Sequence, residues 1–200
     1  MNDKKLIPYM EDDEFIRNKT PMTKSVIRHE IVRRLNLCSN DVVYDIGAGT
    51  GSVSIEISKL SDSLSVYAIE QKDEAIDILT QNVNKHGASN IQIVKGTAPE
   101  VLHDLPVPNA VFIGGSSGRL KDILELLHTQ KNNSLSSVRV VVSAVSMETV
   151  SEILDLVNII YVTEMHINQI SVSDINEIGS YHMMQAANPV WIADFIVVSE

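Results

Sequence analysis

The sequence predicts an α/β fold: a seven-stranded, mostly parallel sheet with helices on both faces and an antiparallel C-terminal hairpin. Three observations predict it. Short apolar runs alternate with amphipathic helical runs along most of the chain, the pattern of parallel strands joined by crossover helices. The alternation stops near the C-terminus, where two strand-like runs follow one another and imply an antiparallel edge pair. Gly-rich or turn-rich stretches follow several strands, at the sheet edge where open α/β folds bind ligands.

Taken in order, residues 1–22 read as an N-terminal arm and 23–200 as one domain. The arm carries Glu11-Asp12-Asp13-Glu14, then Phe15-Ile16-Arg17 and Thr20-Pro21-Met22. Thr23 suits a helix N-cap, ahead of a helical face of Ile27, Ile31 and Leu35. The run Asp41 to Ile46 is a buried strand, broken by Gly47, Gly49 and Gly51, and Val53, Ile57 and Leu60 face one side of the helix that follows. Leu64 to Ile69 is a second strand, with Glu70 at its end. Asp73 can cap a helix through His86 with Ile76, Leu79 and Val83 on its apolar face and Gly87 as its stop. Ile91 to Val94 is a third strand and ends in Lys95-Gly96-Thr97-Ala98-Pro99. Ala110 to Ile113 is a fourth, and Gly114-Gly115-Ser116-Ser117-Gly118 leads from it into a helix with Leu120, Ile123, Leu124 and Leu127. Val138 to Val142 is the fifth strand, Glu148 to Val157 a helix, Tyr161 to Val172 the sixth strand and Val190 to Val198 the seventh. Residues 173–189 form the hairpin connection, with Tyr181-His182-Met183-Met184 and Asn188-Pro189. Long connections at a sheet edge often hold substrate residues, so Asn188 is a candidate substrate contact.

A chain of 200 residues suits one domain with a sizeable core. The net charge of −10 argues against a nucleic-acid groove, which needs a basic stripe, and an anionic substrate would need locally placed Arg or Lys. The lone Cys38 allows no internal disulfide, suits a reducing cytoplasm and reads as a small buried hydrophobe. The polar, acidic N-terminus is unlike a signal peptide, and no apolar run reaches membrane-spanning length. The six histidines show no metal-ligand spacing, so no protein-bound metal is expected.

The Gly loop indicates the chemistry. A strand, a tight Gly turn and a helix bring backbone close to a ligand, with bare N–H groups facing it. The spacing here is G-x-G-x-G, not the G-x-G-x-x-G of dinucleotide sites. An acid at the end of the next strand, Glu70, can accept both hydroxyls of a ribose. This is similar to the class I S-adenosylmethionine methyltransferase pattern, where the Gly loop packs on the methionine part of the ligand. Thr97 and Ala98 could then face an adenine, or form a plain strand-to-helix turn. Gly114, Gly115 and Ser116 would make a flat floor for a bulky acceptor. The Asn/Asp-Pro-Pro-aromatic clamp of nucleic-acid amino-methylases is absent after this strand.

Several stretches together carry a narrower likeness. They are Asp13-Glu14-Phe15-Ile16-Arg17, Pro21-Met22-Thr23-Lys24 with Arg28, the Gly-loop core from Asp41 to Glu56, Gly96-Thr97-Ala98-Pro99-Glu100, Ile113-Gly114-Gly115-Ser116 and Asn188-Pro189-Val190. The chain resembles the CbiT family, the decarboxylating C15-methyltransferases of cobalamin biosynthesis, over nearly its whole length. The resemblance implies a cobalt-precorrin-6B substrate, methylation at C15 and loss of CO2 from the C12 acetate. It places S-adenosylmethionine against Thr23, Gly47, Ala48, Gly49, Thr50, Gly51, Glu70 and Ala98. It also implies a homotetramer, and a partner C5-methyltransferase on a separate chain. Arg17, Lys24 and Arg28 are candidate clamps for substrate carboxylates, or else solvated surface charge. His182 is a candidate general acid or base by its loop position alone. Three alternatives stay open at this stage: a methyltransferase for another small-molecule or protein acceptor, an RNA methyltransferase, and a non-enzymatic S-adenosylmethionine-binding subunit.

Overall fold

The computed structural model describes residues 10–130 and 137–198; the first nine residues of the expected arm lie outside the described residues. The sheet contains β1 (Val42–Ile46), β2 (Ser65–Glu70), β3 (Ile91–Lys95), β4 (Ala110–Ile113), β5 (Ser137–Ala144), β6 (Val162–Ile170) and β9 (Val190–Val198). Its order is β3-β2-β1-β4-β5-β9-β6. The first five are parallel, and β9 runs antiparallel between β5 and β6. The helices are α1 (Ser25–Leu35), α2 (Ser52–Ser58), α3 (Asp73–His86), α4 (Leu120–Thr129) and α5 (Met147–Asp155).

Strand alternation divides the core between the two faces of the sheet. Tyr44, Ile46, Val111, Ile113, Val140 and Phe195 pack against Leu120, Ile123, Leu124 and Leu127 of α4 and Ile153 of α5. Val43, Ala110, Phe112, Val141 and Ile192 point the other way, against Ile27, Ile31 and Leu35 of α1 and Val53 and Ile57 of α2. The central strands are buried on both faces, which is why they read as unbroken apolar runs.

Five expectations need correction. The first concerns residues 173–189, which are not an irregular connection. They contain a second, two-stranded sheet, β7 (Ser173–Ile178) and β8 (Tyr181–Ala186), joined at Gly179-Ser180. Both strands are exposed along their full length, so no burial pattern marks them in the sequence. Gly179 sits at φ +64, as a two-residue hairpin turn demands, and that turn was the available signal. The second is the cap of α1, which is Lys24, with no side-chain cap bond. The third is that of α3, which is Lys72. The fourth is the buried face of α3: Ala75, Ile78, Leu79 and Asn82 rather than Ile76, Leu79 and Val83. The polar Asn82 takes part because it ties two loops together, a role apolar periodicity does not register. The last is Cys38, exposed in the turn between α1 and β1.

Candidate active site

The C-terminal ends of β1, β2, β4 and β5 open into one cavity of about 720 Å³. Its inner wall is the turn after β1. Gly47, Gly49 and Gly51 all have positive φ. At Gly47 a Cβ would lie 2.8 Å from the backbone nitrogen of Gly115, so the two loops touch main chain to main chain. At Gly51 it would drive into Leu79 of α3. The N–H groups of Gly47, Ala48, Gly49 and Gly51 are not bare, contrary to expectation. Those of Gly47 and Ala48 donate to the Ile69 carbonyl at 2.9 and 3.0 Å, and that of Gly51 donates to the Ala48 carbonyl at 2.8 Å. The glycines therefore supply close approach rather than an anion nest.

Glu70, at the end of β2, is oriented by backbone donors. Its Oε2 accepts the Gly49 N–H at 3.0 Å, and its Oε1 accepts those of Gln71 and Lys72 at 2.8 and 3.0 Å. A carboxylate has about four lone-pair sites, so acceptor capacity remains on Oε2. Thr97 and Ala98 line a smaller cavity of about 210 Å³ that shares Gly47, Glu70, Gln71, Gly115, Ser116 and Ser117 with the main one.

The sequence reading did not single out Asp45, the penultimate residue of β1. It is fully buried and lines the main cavity. Ser54 Oγ donates to its Oδ2, but Oδ1 has no partner. Burial pushes its pKa up to about 6, against the opposing Ser54 bond. Asp45 belongs to an Asp-x-Gly-x-Gly-x-Gly run, so its place directly before the glycines was the signal that could have found it. An orphaned carboxylate beside a glycine cradle fits a ligand carrying a positive charge and little bulk.

The floor is Gly114 to Ser117 after β4 and Ser143 to Ser146 at the end of β5 and just beyond it, while Val172, Asp174, Ala187 and Asn188 close the side nearest the small hairpin. Lys19 to Val26 form the outer wall, so Thr23 and Lys24 do face the cavity. Lys24 pairs with Asp12 at 3.3 Å and keeps half its side chain exposed.

Three candidates are placed elsewhere. Arg28 is fully buried outside the cavity lining, and its guanidinium donates to Glu56, Asp12 and the Met10 and Thr23 carbonyls rather than facing a substrate. Arg17 is exposed and outside the cavity lining. His182 lies on β8, 3.4 Å from Glu177 across the small hairpin and outside the lining. The cations that do line it are Lys19, Lys24 and Lys72.

Fold and site define a class I S-adenosylmethionine-dependent methyltransferase, and that class implies S-adenosylmethionine as methyl donor. The fold extends to distant members: an S-adenosylmethionine-dependent O-methyltransferase from Thermotoga maritima superposes with a TM-score of 0.72 at 17% identity, over 91% of this chain and 69% of that one. A family model described as precorrin methyltransferase domain matches residues 13–196, and the chain belongs to that family. It is 36% identical over 182 residues to a protein of Methanocaldococcus jannaschii named probable cobalt-precorrin-6B C(15)-methyltransferase (decarboxylating), covering 90% of this chain and 94% of that one. The crystal structure of a precorrin-6y C5,15-methyltransferase from Geobacter metallireducens has a TM-score of 0.85 at 31% identity, over 94% and 96% of the two chains. The precorrin 8W decarboxylase of Methanobacterium thermoautotrophicum has a TM-score of 0.82 at 30% identity, over 93% and 98%.

Proposed function

We infer that this chain methylates C15 of cobalt-precorrin-6B, or of its metal-free counterpart, and decarboxylates the C12 acetate. The observation that carries the reading is the full-length match to relatives bearing that name, on a chain whose cavity extends beyond its glycine turn. At about 720 Å³ the cavity sits within the roughly 300–1,000 Å³ of ligand sites, and it is open on one side.

When bound, the donor supplies an electrophilic methyl group on a sulfonium. Gly47, Ala48, Gly49, Thr50 and Gly51 shape its seat, Glu70 Oε2 takes a ribose hydroxyl, and Asp45 Oδ1 faces its ammonium. Thr97 and Ala98 border the adenine, and Thr23 closes the outer side. Gly114, Gly115 and Ser116 leave the floor open to a flat ring, with Asn188 at its far edge. Lys24, joined by Lys19, meets substrate carboxylates on the solvent side. Positioning of the acceptor carbon in line with the methyl group is the protein's main contribution. The electron pair released with CO2 passes into the conjugated ring, so the reaction as read needs no protein nucleophile.

Residues 1–22 act as an arm to the domain of residues 23–200. The protein works in the cytoplasm as a homo-oligomer, a tetramer by family resemblance, beside a separate C5-methyltransferase. Exposed Ile175, Tyr181 and Met184 on the small hairpin support self-association.

Transfer of labelled methyl from S-adenosylmethionine tests the acceptor. Label is expected in the tetrapyrrole fraction, and none in tRNA or protein offered at the same concentration. Label in tRNA or protein, with the tetrapyrrole unlabelled, would overturn the assignment.

A further inference from the structure

Arg28, one of two buried cations of α1, has no place in the chemistry above. Arg28 has no exposed surface, and four groups from two parts of the chain surround its guanidinium. Glu56 of α2, itself buried, takes Nε. Asp12 Oδ1 and the Thr23 carbonyl take Nη1 at 3.2 and 2.7 Å, and the Met10 carbonyl takes Nη2. The Phe15 ring lies under it at 4.8 Å. Met10, Asp12, Phe15 and Thr23 all belong to the segment leading into α1, whereas Glu56 belongs to the helix that begins at Gly51. A cation buried this deeply is tolerated only with its donors satisfied, so the segment cannot leave without orphaning it.

The same segment touches the glycine turn directly. A Cβ on Gly49 would lie 3.3 Å from the Pro21 carbonyl oxygen. Asn82 of α3 holds both sides: its amide exchanges bonds with the Ile16 backbone at 2.7 and 3.0 Å and donates to the Thr50 carbonyl at 2.9 Å. Asp12 carries the chain of charges outward, since its other oxygen pairs with Lys24 at the cavity wall.

We propose that Arg28 is a positioning residue: its buried pair with Glu56 pins residues 10–24 against the glycine turn, so that ordering of this segment and donor binding are one linked event. The proposal rests on the donor reading above. Linkage is reciprocal: a donor that binds only the closed segment must protect it, and a variant that frees the segment must weaken donor binding by the factor by which it lowers the closed population.

The test combines limited trypsin digestion with calorimetric titration of S-adenosylhomocysteine. In the wild type the ligand is expected to slow cleavage after Arg17, Lys19 and Lys24. If the closed population falls to about a tenth, Arg28→Met should speed that cleavage at least tenfold, raise the dissociation constant about tenfold and shift protection to about tenfold higher ligand concentration. Arg28→Met leaves buried Glu56 with His29, whose Nε2 lies 2.9 Å from its Oε1, in place of the guanidinium, so the double variant Arg28→Met/Glu56→Leu guards against simple misfolding and should show the same pair of changes with an intact core. Arg28→Lys keeps a charge for Glu56 but cannot reach Met10, Asp12 and Thr23 together, and should restore folding without restoring affinity. Arg33→Ala, on the exposed side of α1, should change neither readout. Unchanged cleavage in the double variant, or a freed segment with unchanged affinity, would overturn the proposal. A wild type that binds no S-adenosylhomocysteine would instead remove the donor reading, and this inference with it.

Discussion

Asp45 holds its charge where the fold least favours it, and that has a measurable price. Its pKa of about 6 lies above the ordinary 3.8, so the folded chain holds this proton more tightly than the unfolded chain. Stability from this group is therefore full below about pH 4 and is lost as pH rises through about 6, a loss of about 3 kcal/mol at about 1.4 kcal/mol per unit. Asp45→Asn should raise the melting temperature at neutral pH, leave it unchanged near pH 4 and weaken donor binding at least tenfold. In the wild type, donor affinity should fall as pH drops through 6, with proton release seen by calorimetry in two buffers near that pH. Equal affinity at pH 5 and pH 8 would remove Asp45 from the donor site. The glycines give a second contrast. Gly47→Ala forces a Cβ onto the Gly115 backbone at φ +77, so donor binding should vanish and stability fall by about 1–3 kcal/mol. A Cβ at Gly115 meets nothing within 4 Å, so Gly115→Ala should keep the fold and report on the acceptor floor. Thermal melts of both variants check this.

At the scale of elements, the small hairpin and the arm behave oppositely. The hairpin is exposed on both faces, with Met184 77% and Tyr181 73% accessible. Met184→Glu with Ile175→Glu, neighbours across β7 and β8, should lower the mass seen by light scattering while leaving far-UV dichroism unchanged. A wild type that is already monomeric would remove this interface. The same elements mark what the sequence made legible. The seven sheet strands and the apolar face of α4 were readable because burial imposes regular apolar spacing on them. The strands β7 and β8 were not, because nothing covers them and only the Gly179-Ser180 turn signals their pairing. Asn82 and Glu56 escaped notice, and Arg28 read as a substrate clamp or surface charge rather than a buried ion pair, for a related reason: buried polar groups are placed by partners distant in sequence, which no local period encodes. Thr23 and Lys24 reach the cavity as the arm's motif suggested, while Arg17, close to them in sequence, does not.

At the scale of the molecule, the cavity of this acidic chain carries charges of both signs. Asp45 and Glu70 stand at the inner end of the cavity, beside the turn, and suit a cationic donor, while toward solvent Lys19, Lys24 and Lys72 share the lining with Asp12, Glu74 and Asp174. On the proposed reading, the lysines are the local cations with which a chain of net charge −10 meets a polyanionic ring. Replacing Lys19 and Lys24 together by Gln should raise KM for the tetrapyrrole about tenfold and leave the S-adenosylhomocysteine dissociation constant within twofold. A joint loss of both would place these lysines on the donor. The decisive measurement is the mass of the tetrapyrrole after incubation of the purified chain with S-adenosylmethionine and cobalt-precorrin-6B. Gain of one methyl group with loss of one CO2 is the expected product. A ring that keeps its carboxylate after methylation would contradict a coupled reaction in this single cavity, and an unchanged ring would contradict the substrate itself.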